Sequence, residues 1–200
     1  MSYSPPKLTA LDWMYSVEPL QKKLCEIYTS DVGKDFVLVS ADGTQRRAHK
    51  AFLDKSSPFF KAMFQAGGKE NKVGQCEMSD ISTETLDILL RFMYHNCTEK
   101  LKESARTVIV AADKYQMADL KKSCEDTLVA ELSNETATDL LLLADKVTAS
   151  ALKDTVLRYI AVNFKTMESS AEVDKLSHAV AGDHNLLREI FAAIARWGIK

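Results

Sequence analysis

His49-Lys50-Ala51-Phe52-Leu53-Asp54-Lys55-Ser56-Ser57-Pro58-Phe59-Phe60-Lys61-Ala62-Met63-Phe64 is the stretch that decides the fold. Lys50 to Leu53 begins a short helix. Ser56-Ser57-Pro58 opens a second one, with a polar cap followed by proline in a first turn, where its missing N–H costs nothing. Gly67-Gly68 stops that helix. The pair sits inside a β framework. Upstream, Phe36-Val37-Leu38-Val39 is apolar and β-branched, and Asp42-Gly43 supplies the positive-φ residues of a tight hairpin turn. Gln45 to Ala48 returns as a second strand, and Gln75 to Met78 reads as a third, ending at Ser79-Asp80.

Outward from this centre the chain is helical. Val17 to Tyr28 carries Leu20, Leu24 and Ile27 on one face and Lys22, Lys23 and Glu26 on the others, and Pro19 suits a first turn. Residues 1–16 read as an arm, extended around Pro5 and Pro6 and then apolar at Leu11, Trp13, Met14 and Tyr15. Large apolar groups on an arm call for something to dock against. Downstream, Ser82 to Tyr94 presents Leu86, Leu89, Leu90 and Met93 together. Later helices are marked by Ala105, Val108 and Ile109, by Leu120, Cys124 and Leu128, by Leu140 and Leu141, and by Leu152, Val156 and Ile160. The pattern weakens over 168–182, and Gly182-Asp183 precedes a last helix with Leu187, Ile190, Phe191, Ile194 and Trp197. Ala112-Asp113-Lys114 with Leu120-Lys121 recurs as Ala144-Asp145-Lys146 with Leu152-Lys153, an offset of 32 residues. That is close to the period of helical-hairpin repeats, and two copies read as two similar helix–turn–helix steps.

Composition narrows the function classes. Hydrophobic residues make up 46% of 200, enough for real cores, and the net charge of −2 provides no pull toward nucleic acid or an anionic membrane. The densest basic cluster, Arg46-Arg47 with Lys50, is short and reads as a solvated strand end. No apolar run approaches the ~20 residues of a membrane span. Cys25, Cys76, Cys97 and Cys124 are dispersed, without metal or disulfide spacing, and no basic-then-apolar leader opens the sequence. An intracellular protein is expected, in nucleus or cytoplasm. The sequons at Asn96 and Asn134 then read as chance matches, the second being a helix start.

Catalysis finds no support. His49, His95, His178 and His184 are the candidate bases, but none accompanies a nucleophile signature, a phosphate-cradling loop or a zinc motif. No catalytic, cofactor-binding or metal-binding residue is assigned, and an enzyme is not expected. His49 reads as closing a strand or helix end by hydrogen bonding.

In this order, the hairpin, His49-Lys50-Ala51-Phe52-Leu53, Ser57-Pro58-Phe59-Phe60-Lys61-Ala62-Met63-Phe64, Ala111-Ala112-Asp113-Lys114-Tyr115, Leu120-Lys121-Lys122-Ser123-Cys124-Glu125-Asp126 and Leu141-Leu142-Leu143-Ala144-Asp145 resemble the BTB/POZ domain family. The likeness spans residues 17 to 165 and is nearest to the speckle-type POZ-like cullin-3 adaptors, which join a BTB domain to a BACK-like helical extension. It implies an α+β fold, a small three-stranded sheet flanked by a helical cluster, over residues 17–130, and an all-α extension over 131–200. It implies a homodimer through Leu20, Leu24 and Ile27, with an acid and a base, Asp31 and Lys50, approaching each other at the dimer seam. It also implies that the cullin-3 N-terminal region docks on Phe64, Gly68, Glu70, Tyr94 and Tyr115, to build a ubiquitin ligase that positions a client protein. Cullin-3 adaptors carry a hydrophobic residue, any residue, then Glu in the loop after the Phe-Phe-Lys-Ala-Met-Phe helix. Here the triplet is Gly68-Lys69-Glu70, so glycine stands at the apolar anchor. No MATH, kelch or zinc-finger pattern is visible. A fragment, recruitment through the chain's own surface, and mixed dimerisation are the open routes to a client. The alternative is an oligomerisation scaffold that does not bind cullin-3.

Overall fold

The computed structural model describes residues 10–167 and 171–198. The chain divides into two compact units, residues 1–97 and 98–200.

The first unit is built on a three-stranded sheet in the order β2-β1-β3. Strand β1 (Phe36–Ser40) pairs antiparallel with β2 (Gln45–Ala48) and parallel with β3 (Gln75–Met78). The alternation of β1 buries Phe36, Leu38 and Ser40 and leaves Val37 and Val39 half-buried, as a period of two requires. Ser40 is a buried hydroxyl and is satisfied: it donates to Asp42 Oδ1 at 2.6 Å and lies 2.9 Å from Thr83 Oγ1. The turn is closed from the same side. Thr44 N and Thr83 Oγ1 both donate to the Asp42 carboxylate, and Gly43 takes φ +80°. Hydrogen bonds from Ser40, Thr83 and Thr44 hold the Asp42 carboxyl well below its usual range.

A parallel β1–β3 pair needs a crossover. Here it is helical: α2 (Lys50–Ser56), α3 (Pro58–Gln65) and α4 (Lys69–Val73). Ser57 caps α3 by accepting Phe60 N, with Pro58 in the first turn. The sequence reading stops at Gly67-Gly68 and misses α4, whose Lys-Glu-Asn-Lys-Val has no apolar period to reveal it. Gly68 opens α4 from an extended backbone, and Gly74 ends it in the left-handed region at φ +75°. Leu86, Leu89 and Leu90 of α5 (Thr83–His95) join Phe36, Leu38, Leu53 and Phe60 among the fully buried side chains.

Helix α1 (Ala10–Thr29) starts earlier than the helix expected at Val17, and Pro19 lies inside it rather than in its first turn. An interior proline removes one helical bond and crowds the carbonyl four residues back, yet here the helix runs through it. Ala10 to Tyr15 contains neither glycine nor a β-branched residue, so the backbone carries through. Of the expected arm, residues 1–9 lie outside the described residues.

The second unit is all helical: α6 (Leu101–Lys114), α7 (Ala118–Val129), α8 (Asn134–Lys146), α9 (Ser150–Met167), α10 (Ala171–Ala179) and α11 (His184–Trp197). The segment that weakens in sequence contains α10. The 32-residue echo is structural. α6 and α8 end alike, with Gln116 and Thr148 in the left-handed region at φ 55° and 52°. Met117 N bonds Ala112 O at 2.8 Å, and Ala149 N bonds Ala144 O at 2.8 Å. Lys121 pairs with Asp113 and Lys153 with Asp145, each at 2.7 Å. The first step is also locked onto the second, because Lys121 Nζ donates to Val147 O at 2.5 Å and Leu152 N donates to Glu125 Oε2 at 3.2 Å.

Candidate interaction surfaces

The outer face of α1 is apolar and open. Leu20 is 56% exposed and Ile27 39%, Leu24 is half-buried, and Val32, just beyond the helix, is 84% exposed. The inner face is anchored by Tyr28, whose ring lies 5.3 Å from Tyr94 and 5.8 Å from His95. Burial pushes the Tyr28 phenol up, with the Asp87 charge adding to it. The helix is thus fixed to α5 through Tyr28; Leu24, one turn earlier on the same side, is half-buried, while Leu20 and Ile27 stay exposed.

Asp31 and Lys50 do not meet within the protomer. Asp31 pairs with Lys34 at 3.3 Å. The carboxylate that reaches Lys50 is that of Asp35, which accepts the Lys50 backbone N–H at 2.8 Å. The reason is local. His49 stands at the N-cap of α2 and gives it no side-chain cap, so the acid just before β1 fills that role. The Lys50 ammonium turns elsewhere, to Asn71 Oδ1 at 2.9 Å, over the rings of Phe36 (5.4 Å) and Phe64 (5.7 Å). Sequence reading missed both Asp35 and Asn71. The available signal was Asp35 lying directly before the first strand.

His49 has both ring nitrogens committed. Nε2 is 3.0 Å from Val32 O, so it carries the proton and donates; Nδ1, 2.6 Å from Tyr94 Oη, then accepts from the phenol. Tyr94 Oη also accepts the His49 backbone N–H at 2.9 Å. This ties the loop after α1 to α2 and α5, so the ring of His49 joins three segments where closure of a strand or helix end was expected.

The five residues expected to dock a partner fall into two groups. Phe64, Gly68 and Glu70 lie at the α3–α4 junction of the first unit. Phe64 is half-buried, its ring edge-on to Phe36 at 5.1 Å, and Glu70 is exposed. Gly68 has an extended backbone open to any residue, and a Cβ there would meet only the Glu70 carboxylate end, at 3.2 Å. Gly67 differs, with φ +61°. Tyr94 and Tyr115 are interior: they are 3% and 2% exposed. Tyr94 stacks on Phe52 at 4.2 Å, and burial raises its phenol pKa. Tyr115 ends α6 in the second unit. Neither ring is open to direct contact.

Among the described residues no three His, Cys, Asp or Glu side chains come together as metal ligands, and no helix is long and apolar enough to cross a membrane. Cys76 and Cys124 are buried and Cys25 is exposed. A family model described as BTB/POZ domain matches residues 24–132, which takes in the sheet, α2 to α5, and α6 and α7.

Proposed function

The chain belongs to the BTB/POZ domain family, a protein-interaction and self-association fold, and from that premise we propose that it is a homodimeric adaptor that docks on cullin-3 and positions client proteins for ubiquitination. It acts by placement and contributes no chemistry of its own. The observation that carries the reading is the pairing, in one compact unit, of an exposed apolar α1 face with an exposed α3–α4 junction. Leu20, Leu24 and Ile27 form the self-association surface; burying each would contribute ~1.5–3 kcal/mol. Phe64, Gly68 and Glu70 form the docking surface; Tyr94 and Tyr115, expected to share it, are buried and are left out of it.

Isothermal titration with the purified cullin-3 N-terminal region tests this. Micromolar binding is expected, and no binding at tens of micromolar overturns it. Gly68→Leu is expected to tighten binding about tenfold or more, because the backbone there accepts a side chain and the leucine restores an aliphatic contact. A second reading, an oligomerisation scaffold that does not engage cullin-3, is favoured by one feature, the glycine at that anchor. If Gly68→Leu binds cullin-3 and the natural chain does not, the scaffold reading stands.

A further inference from the structure

Helix α4 carries Glu70 and begins at Gly68, yet apolar burial does not hold it: none of its five residues is buried. Its far end is fixed through the backbone, where Gly74 O accepts Val37 N of β1 at 2.9 Å. Its middle is fixed by the side chain of Asn71. Asn71 Oδ1 accepts from the Lys50 ammonium at 2.9 Å, and Asn71 Nδ2 donates to Phe64 O at 2.9 Å. That carbonyl belongs to the last turn of α3 and, besides the Asn71 amide, accepts a long backbone bond from Gly67 N at 3.4 Å. One amide therefore joins the start of α2, the end of α3 and the centre of α4. The chemistry asks for asparagine: aspartate would lack the donor for Phe64 O, and an aliphatic residue would lack both groups. The ammonium lies over two mutually packed phenylalanine rings, 5.4 Å from Phe36 and 5.7 Å from Phe64, which restricts where it can point.

We propose that Asn71, oriented by Lys50, is the positioning residue of the docking surface, setting the pose in which Gly68 and Glu70 meet a partner while making no contact with it. The partner in this statement rests on the docking reading above; the clamp does not. It also gives Lys50 a role inside the protomer.

Amide hydrogen exchange on the full chain separates the two. Lys72 N bonds Gly68 O at 3.2 Å and Gly74 N bonds Glu70 O at 2.9 Å, so these amides report on α4. Asn71→Ala and Lys50→Met are each expected to speed their exchange about tenfold, the size of one hydrogen bond to a charged group. Lys50→Arg, which keeps a cation over the rings and a donor for Asn71, is expected to restore protection to near the natural rate. The amides of α5 should not change. Unchanged α4 exchange in both variants overturns the clamp, and so does an equal rise in α5, which would mean general destabilisation. Titration with the cullin-3 N-terminal region is the second arm. Asn71→Ala is expected to bind about tenfold more weakly, and equal affinity overturns the positioning role. If the natural chain does not bind at all, the docking reading falls while the exchange arm still decides the clamp.

Discussion

Asp35 shows how much a single carboxylate can organise. It stands one residue before β1, yet its bond at 2.8 Å is to the first amide of α2. Replacing an N-cap acceptor by alanine costs roughly 1 kcal/mol, so Asp35→Ala should lower the melting temperature by a few degrees, measured by circular dichroism. Asp42 makes a pH-dependent contribution. Its folded carboxyl titrates below the unfolded value, so the stability it adds is full at neutral pH. That contribution declines as pH falls from about 4 toward the folded pKa. The melting-temperature gap between the natural chain and Asp42→Asn should therefore be widest near pH 7 and shrink below about pH 4; a gap that grows in acid would refute the assignment. The thiols differ as well. Burial, with Glu125 beside it, pushes Cys124 up to about 12, whereas Cys25 is exposed. A thiol reagent at pH 8 should label Cys25 in the native protein and Cys124 only after denaturant is added.

Elements were legible in proportion to their apolar period. β1 and its hairpin could be read because Phe36 and Leu38 alternate with half-exposed valines before Asp42-Gly43. α5 could be read because its leucines recur on one face. α4 could not, since a five-residue helix with no buried side chain leaves no such trace. The start of α1 was misplaced because Pro19 resembles a first-turn residue. At the candidate sites, the exposure of Leu20 and Ile27 fits their helical spacing, but the half-burial of Leu24 and the burial of Tyr94 and Tyr115 were not legible. A tyrosine suits an interior or a surface equally, and the Phe52 and Tyr28 rings and the His49 bonds decide for Tyr94. The helical steps carry a local cost that can be tested. Thr148 is β-branched and sits at φ 52°, a conformation that disfavours such residues. Thr148→Gly should stabilise the protein by about 0.5–1 kcal/mol in urea unfolding. Lys121→Met should do the opposite, by about 1.5–3 kcal/mol, since it removes a charged donor from Asp113 and Val147 O.

At the scale of the whole molecule the claim is association. An exposed apolar helix face is better satisfied by a second copy than by water. Light scattering should report twice the chain mass, and Leu24→Asp should give monomer or insoluble protein. Because binding of one copy to another stabilises only the folded form, the melting temperature should rise with protein concentration in the natural chain and not in a soluble Leu24→Asp. A dimer would also carry two docking surfaces on one particle, and so raise the local concentration of ligase around a bound client.

The matching turns at Gln116 and Thr148 bear on how such a chain can be lengthened. Each step ends with a left-handed residue, Gln116 or Thr148, with the same backbone bond and the same lysine–aspartate pair, so the stretch between them is a repeating tile. Duplicating residues 118–149 in frame would give the new copy a lysine to grip the next turn and a turn for the previous lysine to grip. Length in this half of the molecule can thus grow by whole tiles without redesigning either junction.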